Sequence, residues 1–571
     1  MANLIPSPAI SGITAYSVPK PATPVDLYLH GNEGPAPPAS VLGALDVHGT
    51  ELLRNYPDAR PLQAVIAARV GADPEQVIVT AGADDALNRI CQAMLGAGRN
   101  MVLPEPTFVM FRRFAALAGG DVVSVPWEGP RYPTEAVLEA IDEQTALVAI
   151  VSPNNPTGAV ATADDLRAVA EAAPHALVIV DHAYVEFADE DLTEIALEYP
   201  NTVVTRTMSK AWGMAGVRVG FALASPQVID WLHTAGLPYA VSGLSLVIAA
   251  RRLGDDVSDI TEFVERVRHE RSQLERVLED GGARVYPSQG NFVFGRHDHA
   301  LWIRDAMAGM GILIRAFPGH ELLSDAIRIS CPGDEADFSR LTHAVSTVLE
   351  PEALLFDLDG VIADVSRSYR ESIIETASSF GVELTGEDVS EAKASGDANN
   401  DWVLTRRLLA QRGVEAELDE VTERFEAIYQ GTDDEPGLRE TEELLVEPAY
   451  FERLSERFEL GIVTGRPRKD AERFLRDKDL AKFFGALVCM EDAELKPDPE
   501  PVELLMSQLG VERAWLVGDT PDDAHAARAA GVLPVGVVAP GHDGSVMEPA
   551  LVQAGCARVL DGAGELEGLL L

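Results

Sequence analysis

The chain has 571 residues, with 91 acidic against 46 basic side chains, a formal charge of −45 and 46% apolar residues. That length calls for two to four domains with substantial cores, and that charge excludes a non-specific binder of nucleic acid or of anionic membranes. No apolar run is long enough to cross a bilayer, and the start MANLIPSPAISG lacks the basic-then-apolar order of a leader. Cys91, Cys331, Cys489 and Cys556 have no metal or redox spacing, so a cytoplasmic protein with reduced thiols is expected.

Taken in order, residues 1 to about 30 are Pro-rich and irregular, an arm rather than a packed element. The turn His30-Gly31-Asn32-Glu33-Gly34-Pro35 and the run RNYPDAR (Arg54 to Arg60) each lead into a helix. Apolar β-rich runs then alternate with helical ones: VIVTAG, NMVLPEPTF, DVVSVPWE, ALVAIVSPNNPTG, ALVIVDHAYVEF, TVVTRTMSK and RVGFALAS. Such a series predicts a mainly parallel sheet in a layered α/β domain, with ligands bound at the strand ends. Four features sit at such ends. Gly82-Ala83-Asp84 opens a helix whose amides suit a phosphate or simply an ordinary cap. Asn154-Asn155-Pro156 is a turn or a binding loop. Asp181 closes the apolar strand VIVD, where a carboxylate needs a cation, either a ligand's or an ion pair's. Lys210 is the only lysine between Lys20 and Lys393. An ammonium can lose its proton and form an imine, which a guanidinium cannot. Thr207, Ser209 and Arg218 around it make a phosphate cup, and a phosphate beside an imine-forming lysine suggests pyridoxal phosphate. The plain alternative is a lysine left by compositional drift.

Together these motifs, Asn155 with PTG, Asp181 with Tyr184, and SKAW…AGVRVGF with Lys210 and Arg218, resemble the fold-type I aminotransferases, in particular the histidinol-phosphate type, from Leu27 to Leu349. The resemblance implies a large domain over about 35–250 and a small one from about 251 to 350 with the N-terminal segment. It implies that Lys210 bonds the cofactor's aldehyde and shuttles the proton, and that Asp181 keeps the ring nitrogen protonated. Asn155 and Tyr184 would hold the ring hydroxyl oxygen. Ala83, Asp84, Thr207, Ser209 and Arg218 would hold the phosphate, and Phe108 would stack on the ring. Tyr56 would reach in from a second subunit, which implies a homodimer. Arg315 and Arg328, thirteen residues apart, would bind the substrate's anionic group. Three positions depart from the family pattern: Gly34 in the Asn-Glu-Asn-Pro turn, Phe108 for a tyrosine, and His182 for an acid.

Helical periodicity stops near Val348, Glu350-Pro351-Glu352 breaks it, and ALLFDLDGVIAD begins a new strand. Asp357 and Asp359 end that strand, Thr464 ends ELGIVTGR, Lys496 follows in ELKPDPEP, and Asp519 with Asp523 follows AWLVGD. These four motifs resemble the haloacid dehalogenase superfamily, and the resemblance implies a phosphatase over 351–571. Asp357 would be the nucleophile and Asp359 the acid and base. Thr464 and Lys496 would hold the phosphoryl oxygens, and Mg²⁺ would be held by the Asp357 carboxylate, the Asp359 backbone carbonyl and Asp519, with Asp523 behind these ligands or acting through a water. The helical stretch from about 366 to 448 resembles the cap of the phosphoglycolate-phosphatase-like subfamily, with a core of 351–365 and 449–571. Gly396 to Trp402 is either a contact for the leaving group or an Asn/Asp-rich helix cap.

The expectation is thus an α/β enzyme with two activities on small molecules: transamination of imidazole-acetol phosphate by glutamate, then Mg²⁺-dependent hydrolysis of histidinol phosphate. The alternatives are a transaminase for an aromatic or other phosphorylated amino acid joined to an unrelated phosphatase, and a non-catalytic second half that senses a ligand or supports a dimer.

Overall fold

Seven of the apolar runs pair into one sheet: β1 (Val77–Thr80), β2 (Asn100–Glu105), β3 (Asp121–Pro126), β4 (Thr145–Val151), β5 (Leu177–Asp181), β6 (Thr202–Thr207) and β7 (Gly220–Ala224). The computed structural model describes residues 4, 7–11, 13–15, 20–255, 257–396, 398–432 and 435–571. The strand order is β1-β7-β6-β5-β4-β2-β3, parallel except for β7, which runs against both its neighbours. Every residue of β4, β5 and β7 is buried, as helices on both faces require of continuous apolar strands. The register sets Asp181 beside Thr205 and Val151, so the ends of β4, β5 and β6 open at one edge. Helix α1 (Ala83–Met94) leaves the end of β1 after a two-residue turn.

A second, antiparallel sheet is built from β8 (Arg284–Tyr286), β9 (Phe292–Arg296), β10 (Arg315–Ala316) and β11 (Ala326–Ser330), in the order β10-β11-β9-β8. Arg315 lies directly opposite Arg328 in this ladder. Directly opposed residues share a face, so the spacing of thirteen is explained by a hairpin that brings both arginines to one side.

The chain divides into two compact units, Leu29–Asp298 with Arg315–Phe338 in one, and His299–Ile314 with Ser339–Leu571 and residues 20–28 in the other. The second unit is centred on a six-stranded parallel sheet. Its strands are β12 (Ala353–Phe356), β13 (Glu459–Val463), β14 (Ala486–Val488), β15 (Ala514–Gly518), β16 (Leu533–Val537) and β17 (Val559–Leu560), ordered β14-β13-β12-β15-β16-β17. After β12 and ahead of the helix Pro448–Ser455 that leads into β13 come α3 (Tyr369–Ser379), α4 (Gly386–Ala394), α5 (Asp401–Gln411) and α6 (Leu418–Gln430). They pack around Ile373, Leu408, Phe425 and Tyr429.

The junction is short and packed. Glu352 N–H donates to the Arg513 carbonyl at 2.9 Å and Arg513 Nε donates to the Glu350 carbonyl at 2.9 Å. Trp515 Nε1 donates to the Thr347 carbonyl at 2.7 Å and meets Trp302 edge-on at 5.5 Å. All four cysteines are buried and unpaired, and among the described residues no helix is long and apolar enough to cross a membrane.

Candidate active sites

The loop after β6 carries Lys210 to the open edge of the first sheet. Its Nζ donates to the Gly31 carbonyl at 2.9 Å and lies 5.5 Å from the Tyr184 ring centroid. The turn of residues 31–35 can lie this close because position 34 has no side chain: a Cβ there would stand 1.9 Å from the Lys210 carbonyl oxygen. That accounts for the glycine in the Asn-Glu-Asn-Pro pattern. Asn32 from the same turn donates through Nδ2 to the Tyr184 hydroxyl at 2.9 Å, and its Oδ1 accepts from Ser330 Oγ at 2.8 Å.

Asp181 is 3% exposed, and its one side-chain donor among the described residues is the Thr205 hydroxyl at 3.0 Å. Burial pushes its carboxyl up to about 7 against the pull of Thr205. A carboxylate in that state has room for a cation. His182, next along, is neutral by construction: Nδ1–H donates to the Ser152 carbonyl at 2.6 Å and Nε2 accepts the Leu192 N–H at 3.1 Å. Burial lowers it to about 4.

Thr207, Ser209, Arg218 and Asp84 come together at the start of helix α1. Thr207 Oγ1 donates to Ser209 Oγ at 2.9 Å, and Arg218 reaches Ser209 Oγ at 3.4 Å and Asp84 Oδ2 at 3.3 Å. Helix α1 starts beside Arg218 without a side-chain cap at Gly82, which leaves its first amides open to an anion. Gly82 has φ 82°, and a Cβ on it would stand 2.7 Å from Arg218 Nη2. Open amides, two hydroxyls and a guanidinium fit a phosphate, and buried Asp181 fits a protonated ring nitrogen, so these residues suit pyridoxal phosphate.

Arg328 donates through Nη1 to Asn155 Oδ1 at 2.5 Å and through Nη2 to the His30 carbonyl at 2.5 Å, tying the second sheet to the loop after β4. The two asparagines of that loop differ in use. Asn154 is fully enclosed and spends its amide on the Pro106 carbonyl, Thr107 and Thr157, whereas Asn155 meets Arg328. Phe108 is half-buried against the core that includes Leu103 and Phe111. Tyr56 is 82% exposed and stacks on Tyr239 at 4.6 Å, so within one chain it faces solvent and not the Lys210 cluster.

The second set gathers at the ends of β12, β13 and β15. Lys496 Nζ donates to Asp357 Oδ1 at 2.6 Å, to the Val463 carbonyl at 3.3 Å and, closely, to Asp523 Oδ1. Thr464 is buried and its hydroxyl accepts the Arg466 N–H at 3.2 Å. Asp523 has no oxygen to spare, since Oδ2 accepts the Thr520 N–H at 3.0 Å and the Thr520 hydroxyl at 2.7 Å. It holds Lys496 and caps helix α7 (Pro521–Ala529). Burial raises Asp357 to about 7, only partly offset by Lys496, and raises Asp519 well above the usual carboxylate range. Gly360, at φ 74°, lets Asp519 close on the 357–360 loop, because a Cβ there would be 2.4 Å from Asp519 Oδ2. Among the described residues no three acidic, His or Cys side chains form a metal cluster. Asp357 and Asp519, both buried and both raised, with the Asp359 carbonyl in the same loop as Asp357, still suit Mg²⁺, which takes few protein ligands and keeps its waters.

In the stretch from Gly396 to Trp402, Asp397 lies outside the described residues. Asn400 caps α5, accepting the Trp402 and Val403 N–H groups at 3.1 and 3.0 Å. Asn399 instead ties the cap to the core, donating to the Lys496 carbonyl at 3.0 Å and to Asp522 Oδ2 at 2.9 Å. Asp522, Arg466 and Glu442 are site-bordering residues that motif reading missed. Only Arg466, two residues past Thr464, carried a positional signal.

Comparison with known proteins agrees with both halves. The family model for aminotransferase class I and II matches residues 27–345, and that for haloacid dehalogenase-like hydrolases matches 354–537. Histidinol-phosphate aminotransferase of Geobacillus sp. (strain WCH70) is 33% identical over 311 residues, 52% of this chain and 84% of that protein. Imidazoleglycerol-phosphate dehydratase of Phytophthora nicotianae is 44% identical over 236 residues, 38% of this chain and 52% of that protein, so the chain spans about half of that relative. The crystal structure of histidinol-phosphate aminotransferase from Sinorhizobium meliloti, in complex with pyridoxal-5'-phosphate, superposes with a TM-score of 0.55 at 27% identity, over 60% of this chain and 97% of that one. With one model spanning more than half its length, the chain belongs to the class I and II aminotransferase family and carries a C-terminal haloacid dehalogenase-like hydrolase domain.

Proposed function

We propose that the chain catalyses two consecutive steps of histidine biosynthesis: transfer of the glutamate amino group to imidazole-acetol phosphate, and hydrolysis of the resulting histidinol phosphate to histidinol. The observation that carries this reading is that both side-chain sets are intact on one chain, Lys210 with Asp181 and Arg218, and Asp357 with Lys496 and Asp519. The relatives' names support the metabolite. Loss of water from an imidazole glycerol phosphate leaves an acetol phosphate, which is the ketone the first step would consume.

Pyridoxal phosphate, when bound, supplies an electron sink at the carbon that exchanges its amine. Lys210 Nζ moves the proton from the substrate's α-carbon, and Asp181 keeps the ring nitrogen protonated. Asn155 and Tyr184 orient the ring hydroxyl oxygen, Phe108 covers the ring, and the cup of Ala83, Asp84, Thr207, Ser209 and Arg218 binds the phosphate. Arg315 and Arg328, on one face of their hairpin, offer one cationic region to either anion, the glutamate carboxylate or the acceptor's phosphate. In the second site Mg²⁺, held by Asp357, Asp519 and the Asp359 carbonyl, supplies charge neutralisation. Thr464 and Lys496 hold the phosphoryl oxygens. Asp357 attacks phosphorus, while Asp359 protonates the departing alkoxide and then takes a proton from water.

Leu53, Tyr56, Leu237 and Tyr239 are all more than half exposed, an apolar set that suits a homodimer through the aminotransferase half, with Tyr56 entering the partner's site. Buried, unpaired cysteines suit a reducing cytoplasm.

The test supplies imidazole-acetol phosphate and glutamate and follows 2-oxoglutarate and phosphate together. Wild type should release both, Asp357→Asn only 2-oxoglutarate, and Lys210→Ala neither. Wild type that releases 2-oxoglutarate but no phosphate would remove the second step.

A further inference from the structure

Asp359 is gripped on one oxygen. Arg466 Nε donates to its Oδ1 at 2.6 Å and Nη2 closes the ion pair on the same atom, which leaves Oδ2 unclaimed by the guanidinium. Arg466 is itself 1% exposed and lies over the Tyr369 ring at 4.9 Å. Its Nη1 donates to Glu442 Oε2 at 3.0 Å. The other oxygen of Glu442 accepts the Tyr429 hydroxyl at 2.9 Å and the Ser368 hydroxyl at 3.0 Å. Asp359 and Arg466 belong to loops of the sheet, whereas Ser368, Tyr369, Tyr429 and Glu442 belong to the insert between β12 and β13. A buried chain of charges therefore runs from the cap to the proposed acid and base.

Burying one guanidinium between two carboxylates is costly, and an apolar cluster of the same volume would serve stability as well or better. What the triad provides is direction. With Oδ1 fixed, the Asp359 carboxyl plane is set, and Oδ2 is the oxygen presented to the ester.

We infer that Arg466 is the positioning residue for Asp359, and that the cap, through Glu442 and Tyr429, holds Arg466 in place. The acid step is then complete only with the cap seated. This rests on the phosphatase reading above. As the Asp357 oxygen bonds to phosphorus and the ester P–O bond breaks, the Oδ2 proton passes to the departing oxygen. Water then bonds to phosphorus, its proton returns to Oδ2, and the Asp357–phosphorus bond breaks.

The test exploits the leaving group. An alkyl oxygen needs the proton to depart, whereas p-nitrophenolate leaves as a stable anion. In full-length, Mg²⁺-loaded enzyme, Arg466→Met should lower kcat for histidinol phosphate by about 100-fold or more, the scale of general acid catalysis, with KM little changed. The pre-steady-state release of p-nitrophenolate from p-nitrophenyl phosphate should fall far less. Arg466→Lys should recover part of the alkyl rate, and Tyr429→Phe should show the same selectivity at a few-fold amplitude. Equal losses for the two esters in Arg466→Met would overturn the inference. If that variant does not fold, as judged by lost transamination, Tyr429→Phe decides alone, and an unselective or absent effect there overturns the cap's part. Wild type inactive on both esters would overturn the phosphatase reading instead.

Discussion

At position 182 both imidazole nitrogens are committed, Nδ1 to the Ser152 carbonyl and Nε2 to the Leu192 N–H, in a fully buried setting. A proton added to Nε2 would meet an N–H that already points at it, and burial lowers the folded-state value from 6.5 to about 4. The sign follows from linkage: between those two values the unfolded chain binds more protons than the folded one. Stability therefore rises with pH across that window and is lost as pH falls from 6.5 towards 4. The shift corresponds to at most about 3 kcal/mol. His182→Asn removes the titration, so its unfolding free energy should fall less than wild type's between pH 7 and 4.5 in urea denaturation. Parallel slopes would show that His182 is not what makes the fold acid-sensitive. The sequence marked 182 only as a departure from an acidic pattern. Asp181 was legible because a carboxylate ending an apolar strand demands a partner. The partners that neutralise His182 are backbone groups of two other loops, and backbone groups leave no residue signature.

At the scale of elements, some side-chain groupings are encoded by local pattern and others are not. The sheet strands were visible as continuous apolar runs, and the ligand edge follows from parallel order. Arg315 and Arg328 were paired by spacing, and the antiparallel ladder supplies the reason. The Arg466–Glu442 contact joins positions 24 residues apart through a cap whose orientation no local pattern encodes. The link between β1 and α1 offers a direct check on the cup. Gly82 sits at φ 82°, where a Cβ costs about 1–2 kcal/mol, and that Cβ would also displace Arg218. Gly82→Ala should therefore weaken retention of pyridoxal phosphate by about tenfold or more, measured by absorbance titration of the apo-protein, while the far-ultraviolet dichroism is unchanged. Unaltered affinity would mean that Arg218 and the helix amides do not share one anion.

For the whole molecule, the question is whether the two activities sit on independently stable parts. The short Glu350-Pro351-Glu352 break reads in sequence as a linker, yet the structure buries what lies on either side of it. Trp515, on the central β15, is fully buried, donates to the Thr347 carbonyl at 2.7 Å and packs edge-on against Trp302. Thr347 and Trp302 precede the phosphatase motifs, and they fold into the same compact unit as the hydrolase sheet. Removing the indole would leave a cavity beneath both and an unpaired carbonyl at the end of the helix Glu335–Leu349. Truncating a buried tryptophan costs about 3–5 kcal/mol, a large share of a domain's marginal stability. Trp515→Ala should thus lower the urea midpoint for phosphate release, and because the helix end and Trp302 lose their packing together, the midpoint for 2-oxoglutarate formation should fall with it. Both can be followed in one titration of the full chain, with Asp357→Asn as a control that stops phosphate release without moving the transamination midpoint. A variant that loses only phosphate release, at an unchanged transamination midpoint, would show that the seam carries no stability for the first activity.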